Sequence, residues 1–143
     1  MASLVYDSFM RDIATGAIDC DTDTFKMMLV TSSYTPYKSP HAKRSDITNE
    51  VAAGSGYSTG GNACALTVGA VDGLAHSVSI NFSVTSWTSA TITARGGVIY
   101  KSRGGAATAD ELVGYVDFGS NITSTNGTFA VTVSTPLSLT NPN

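Results

Sequence analysis

The sequence predicts a mainly β fold, an antiparallel β-sandwich or jelly-roll with one short N-terminal helix. Three observations carry that expectation. Of 143 residues, 37 are Ser or Thr and 14 are Gly, a composition suited to short strands and tight turns. After residue 64, apolar and polar residues alternate in short runs broken by turn residues, the period of half-buried strands. Only 13% of residues are charged, about half the ~25% of an ordinary soluble domain and wrong for a helical bundle rich in Glu and Lys.

Residues 3–14 carry the helical pattern. Val5, Phe9 and Ile13 recur at i, i+4 and i+8, and Tyr6 and Met10 widen the stripe. Ser3 stands at the expected N-cap, Asp7 near the first turn, and Gly16 just past the last apolar residue. So short a helix is marginal alone, so its stripe must dock on the chain's own sheet or on a neighbouring molecule. Thr24–Thr31 reads as a strand with Phe25, Met27 and Leu29 on one face and Lys26, Met28 and Val30 on the other. Being apolar on both faces, it belongs inside a sheet. Residues 32–62 hold Pro36, Pro40 and four glycines and predict a long loop, with Ile47–Val51 as one ordered piece; loops of that length are usually functional.

Cys64, Leu66, Val68 and Ala70 then share a face, and residues 71–74 supply a turn. Val78, Ile80, Phe82 and Val84 alternate with polar residues in the cleanest half-buried pattern of the chain. Trp87 follows that strict alternation and reads as core. Ala90, Ile92 and Ala94 alternate up to Gly96-Gly97, a pair that marks a bulge or bend. Leu112–Phe118 is a further strand. Asn126-Gly127 signals a hairpin turn before Thr128–Val133, and residues 134–143, with Pro136 and Pro142, read as an extended tail. The count is about seven strands, closely spaced after residue 64.

The length suits a single domain, 1–143. Net charge is −3 with a pI near 5.1, so no global field attracts nucleic acid. No apolar run approaches a membrane span, and Met1–Asp7 lacks the basic and apolar regions of a signal peptide; a cytosolically made protein is expected. Cys20 and Cys64 read as two buried thiols, a disulfide between them being the alternative.

Catalytic patterns are sparse. His41 and His76 have no second ligand at metal spacing. Asp19-x-Asp21-x-Asp23 begins like a calcium loop, but Thr24 and Val30 stand where an EF-hand needs Gly and Glu; the sequence reads as an acidic turn. There is no Gly-x-Ser-x-Gly elbow and no phosphate loop ending in Lys-Ser or Lys-Thr. Asp110, Glu111 and Asp117 could serve as paired carboxylates only if the fold made them converge. Neither an enzyme nor a cofactor is expected. The conspicuous charge feature is Lys38, His41, Lys43 and Arg44 within seven residues of the loop, flanked by Tyr34 and Tyr37. Three fixed cations hold nucleic acid only weakly, so an acidic protein surface is the better-matched partner. Trp87, Tyr57 and Tyr100 would be the stacking platforms if the domain bound carbohydrate.

Several segments together resemble a family of small tailed-phage virion structural proteins. They are Ile18-Asp19-Cys20-Asp21-Thr22-Asp23-Thr24-Phe25-Lys26, Leu29 through Pro36, Ser45 through Val51, Gly56 through Gly61, Trp87, Thr91 through Lys101, and Val113 through Gly119. The likeness spans about residues 3–119. Cys20 and Met27-Met28 depart from it, standing where plain aliphatic residues are expected. The resemblance implies a capsid decoration or cement protein of jelly-roll type on the outer surface of the head. Such a protein contacts the major capsid protein and copies of itself as a homo-oligomer, without nucleic acid or membrane. A neck, tail or fibre-attachment protein is the neighbouring reading. On either reading the grip is expected from the helix, through Val5 and Phe9, and from the loop, through Lys38, Lys43 and Arg44. The extended tail is a third candidate for contact.

Overall fold

The computed structural model describes residues 2–142, so Met1 and the final residue of the predicted tail, Asn143, lie outside the described residues. In chain order the elements are β1 (Leu4–Val5), α1 (Asp7–Ala14), β2 (Phe25–Val30), a 3-10 turn at Arg44–Asp46, β3 (Asn62–Ala63), β4 (Leu66–Asp72), β5 (Ser77–Phe82), β6 (Thr85–Lys101), β7 (Leu112–Val131) and β8 (Leu137–Thr140). The fold is mainly β, with two open antiparallel sheets and one short helix. The larger sheet runs β1-β7-β6-β2-β3 and the smaller β4-β5-β8.

β2 lies inside the large sheet, between β6 and β3, and its alternation divides as expected. Phe25, Met27 and Leu29 enter the core shared with the small sheet, where Leu66 and Ile80 meet Trp87, Ile92, Phe129 and Val131. Met28 and Val30 enter a second core on the opposite face, with Tyr6, Tyr34, Val98, Tyr100, Leu112 and Tyr115. Trp87 is buried, its ring centroid 5.9 Å from Tyr57 and 6.0 Å from Phe129.

The helix starts four residues later than its periodicity suggests. Leu4 and Val5 pair with Tyr115 and Gly114 as a strand, and the Ser3 hydroxyl accepts from the Asp117 amide at 2.9 Å instead of capping a helix. Tyr6 occupies the N-cap without a side-chain capping bond. Gly16 follows the helix at φ +77°, a left-handed conformation that suits glycine. Phe9 drives the helix onto the chain's own core, whereas Met10 is 62% exposed and lies off the stripe.

The long segment 32–62 is folded down onto the sheet. Val51 and Thr31 donate their amides to Leu29 and Asn49 carbonyls at 2.9 Å, which gives Ile47–Val51 the order expected of it. Tyr34 and Tyr57 are buried, so their rings anchor the loop from within.

Three strand boundaries differ from the sequence pattern. β4 slips between Val68 and Val71, so Val71 rather than Ala70 pairs opposite Val78. The tail is not merely extended: Leu137–Thr140 adds to the edge of β5 as β8. Asn126-Gly127 makes no hairpin. Gly127 pairs with Ala90 inside β7, and Asn126, at φ +43°, sits at an offset in the β6–β7 register. The left-handed preference that shapes a hairpin turn here shapes a bulge. Gly96-Gly97 does fall at a register shift, between Ala94 and Gly96. These changes bring the strand total among the described residues to eight.

Candidate partner-binding cleft

Among the described residues, β7 carries no strand beyond β1 on the side away from β6, and β8 ends the small sheet. Between these two edges the sheets part, leaving a cleft of about 920 Å³. Its walls include Phe82, Val116, Phe118, Phe129, Val133 and Leu137. Several of these are only half-buried against the shared core, so their apolar surface faces the opening. Val5 and Lys38 also line it. Lys38 has no ion-pair partner among the described residues, and its carbonyl accepts from the Asp7 amide at 3.0 Å, which fixes the loop beside the helix start.

The five residues expected to grip a partner therefore separate. Val5 and Lys38 meet at the cleft. Phe9 is a correction: its ring is spent on the protein's own core. Arg44 is another, because its Nε donates to Asp110 Oδ2 at 2.7 Å and its guanidinium carbon lies 5.2 Å from the Tyr100 ring centre. Lys43 stays partly exposed but pairs with Glu111 at 3.4 Å. The basic cluster is thus largely an internal counter-charge for two buried carboxylates.

Those carboxylates are held by backbone as well as charge. Asp110 Oδ1 accepts from the Arg103 amide at 2.8 Å. Glu111 accepts from Arg103 Nε and Nη2, the shorter bond being 2.7 Å. Burial pushes the Glu111 carboxyl up, but the Arg103 hydrogen bonds and the Lys43 and Arg103 charges outweigh it and leave the group below its ordinary range. Arg95, at 2.9 Å, holds Asp117 low in the same way. The Ala42 and Lys43 amides, both at 2.9 Å, do so for Asp46 against the opposing effect of burial.

A carboxyl whose folded pKa is depressed contributes stability above its unfolded value and loses it as pH falls through the folded one. The melting temperature is therefore expected to be flat between pH 7 and 5 and to fall below about pH 4, where free carboxyls begin to protonate. Differential scanning calorimetry checks this; a melting temperature unchanged down to about pH 2.5 would remove these contacts from the stability of the fold.

Asp19, Asp21 and Asp23 form an Asx-type turn. Asp19 Oδ1 accepts from the Asp21 and Thr22 amides, and Asp23 Oδ2 accepts from the Asp19 amide and pairs with Lys101 at 2.7 Å. Among the described residues no group of three or more His, Cys, Asp or Glu side chains could hold a metal ion. His41 stacks on Tyr34, whose hydroxyl lies 2.9 Å from Nδ1 and 2.7 Å from the Tyr6 hydroxyl. Burial pushes the Tyr34 hydroxyl up to about 12, so this hydroxyl stays protonated and serves as a structural link between Tyr6 and His41. Cys20 and Cys64 are free and buried, as the thiol reading expects. No helix among the described residues is long and apolar enough to cross a membrane.

Sequence reasoning missed the cleft because its walls come from segments as distant as Val5, Phe82 and Leu137. The available signal was the run of apolar residues at Val131, Val133 and Leu137, which the tail assignment passed over. Comparison with family models, with curated proteins and with solved structures returns no match for this chain.

Proposed function

We propose that this chain is a non-enzymatic structural protein of a tailed-phage virion. In this reading it is a capsid decoration, or cement, protein that binds the outer surface of the head and bridges major capsid protein subunits. Its two sheets are then the two layers of a β-sandwich of jelly-roll type. The observation that best supports the role is the apolar cleft between two open strand edges. It offers a surface for protein contact, whereas the buried carboxylates Asp110 and Glu111 are engaged by arginines within the fold. The resemblance over residues 3–119 supplies the phage context.

The partners in this proposal are the major capsid protein and copies of the chain itself; neither nucleic acid, membrane nor cofactor enters it. Synthesis takes place in the bacterial cytoplasm and the protein ends on the capsid exterior. Each contact can be weak, because an oligomer gripping several shell sites gains through effective concentration. Quantitative mass spectrometry of purified particles tests it. One copy, or a simple fraction, per major capsid subunit is the expected result. A handful of copies per particle would favour the neck, tail or fibre-attachment role and overturn decoration. Carbohydrate binding draws no support from the proposed platforms, since Trp87, Tyr57 and Tyr100 are all buried.

A further inference from the structure

The charges of this chain are segregated. Of its 19 Asp, Glu, Lys and Arg residues, Asp72 alone falls within 51–94, and none falls within 118–143. Those two stretches build the whole small sheet, the first half of β6, β8 and β7 from Phe118 onward. A protein surface ordinarily carries charge on about a quarter or more of its residues. The surface these stretches build carries almost none, and it also holds six of the eight large apolar residues that are exposed among the described residues. These are Val68, Val71, Leu74, Val84, Ile122 and Leu139, with Leu74 97% and Val71 76% exposed.

The open edge of β7 lies in this uncharged region, beside the cleft. Edge strands usually block pairing with other chains through lysine, proline or an inward charge; from Phe118 to Val131 β7 has none of these residues. Against β6 its register shifts between Trp87 and Ala90, between Ala90 and Ile92 and between Ala94 and Gly96, which leaves 122–124 and 129–131 as regular runs.

We propose that the uncharged edge of β7 is the contact between two copies of the chain. The open edge of β7 pairs antiparallel with the same edge of a second copy about a two-fold axis, joining the two large sheets and walling off each cleft. The charge map selects this occupant. Copies of net charge −3 repel one another wherever charges meet, and the face without charge is where they approach without that penalty. The 118–131 edge itself offers no charge to a partner recognised through a complementary field. Antiparallel self-pairing also closes at two, since each edge is used up by the other. A two-fold perpendicular to the sheet keeps inner faces on one side, so the apolar side chains that line one cleft continue those of its neighbour.

Sedimentation velocity on the full chain tests the inference directly. The expected species has twice the 14.7 kDa chain mass at micromolar concentration and persists in 1 M salt, because no ion pairs hold it. Thr128 and Ala130 are exposed positions on this stretch of β7, and the double variant Thr128→Lys, Ala130→Lys sets like charges across the axis. It is expected to sediment as a monomer with an unchanged circular dichroism spectrum. Hydrogen exchange of the wild type gives a readout that does not depend on the variant folding: amides in 118–131 should gain protection as concentration rises. A monomeric wild type overturns the proposal. So does a dimer that withstands the lysine pair, or one whose concentration-dependent protection lies outside 118–131. The capsid reading is independent of this result and stands or falls on copy number.

Discussion

Gly61→Ala is expected to unfold this protein or lower its melting temperature by at least ~10 °C. Gly61 sits at φ +72° immediately before β3, where the chain runs hard against β2. A methyl group there would fall inside the van der Waals envelope of the Met27 carbonyl oxygen, 2.6 Å from Met27 C and 2.8 Å from Met28 Cα. All three atoms are backbone of an interior strand, so no side chain can swing aside. The left-handed conformation adds roughly 1–2 kcal/mol for an L residue. Together these place the loss above the ~4 kcal/mol that marks an exceptional substitution. Gly105→Ala is the control: a methyl there meets nothing within 4 Å, and the melting temperature should be unchanged. If Gly61→Ala melts with the wild type, the close approach of β3 to β2 is wrong.

Asp110→Ala is expected to cost about 3–5 kcal/mol, the loss typical of breaking a buried ion pair by removing one partner. Asp110 is 1% exposed and ties two loops together: its carboxylate accepts from Arg44 Nε and the Arg103 amide, and its carbonyl accepts from the Arg44 amide at 2.9 Å. Alanine keeps the last bond but strands a guanidinium packed on Tyr100 and orphans the Arg103 amide. The double variant Asp110→Leu, Arg44→Met removes both charges at similar volume and is expected to be more stable than Asp110→Ala. Urea unfolding of the three proteins decides the matter. A double variant weaker than the single one would show that Arg44 stabilises the loop by packing rather than by charge.

Both results bear on how far the sequence speaks for the structure. Short-range periodicity was legible: the faces of β2, the buried Trp87 and the break at Gly96-Gly97 all follow from alternation and glycine chemistry. What depends on a distant partner was not. Leu4 and Val5 fall within the helical pattern of residues 3–14 but are claimed by β7, because a strand edge offers them backbone hydrogen bonds. Leu137–Thr140 looked like a tail until the β5 edge was there to receive it. Asn126-Gly127 carries the same local preference in a bulge as in a turn, and only the facing strand distinguishes them. The loop cations looked available because their carboxylates, Asp110 and Glu111, lie more than sixty residues along the chain. Two of the five residues expected to grip a partner, Lys43 and Arg44, are paired within the fold for that reason, and no local window spans the walls of the cleft.

The pairing of Leu4 and Val5 with Tyr115 and Gly114 also sets an order of events during synthesis. The first strand of the large sheet has no partner until residue 115 has left the ribosome. Pairing of such high contact order forms late and slowly. For most of translation the nascent chain therefore presents an unpaired N-terminus and an unfinished sheet, the kind of exposed edge that recruits chaperones or aggregates. The N-terminus is seated near the start of the longest strand, so a ribosome that stalls before residue 115 releases a fragment lacking the strand that holds its N-terminus.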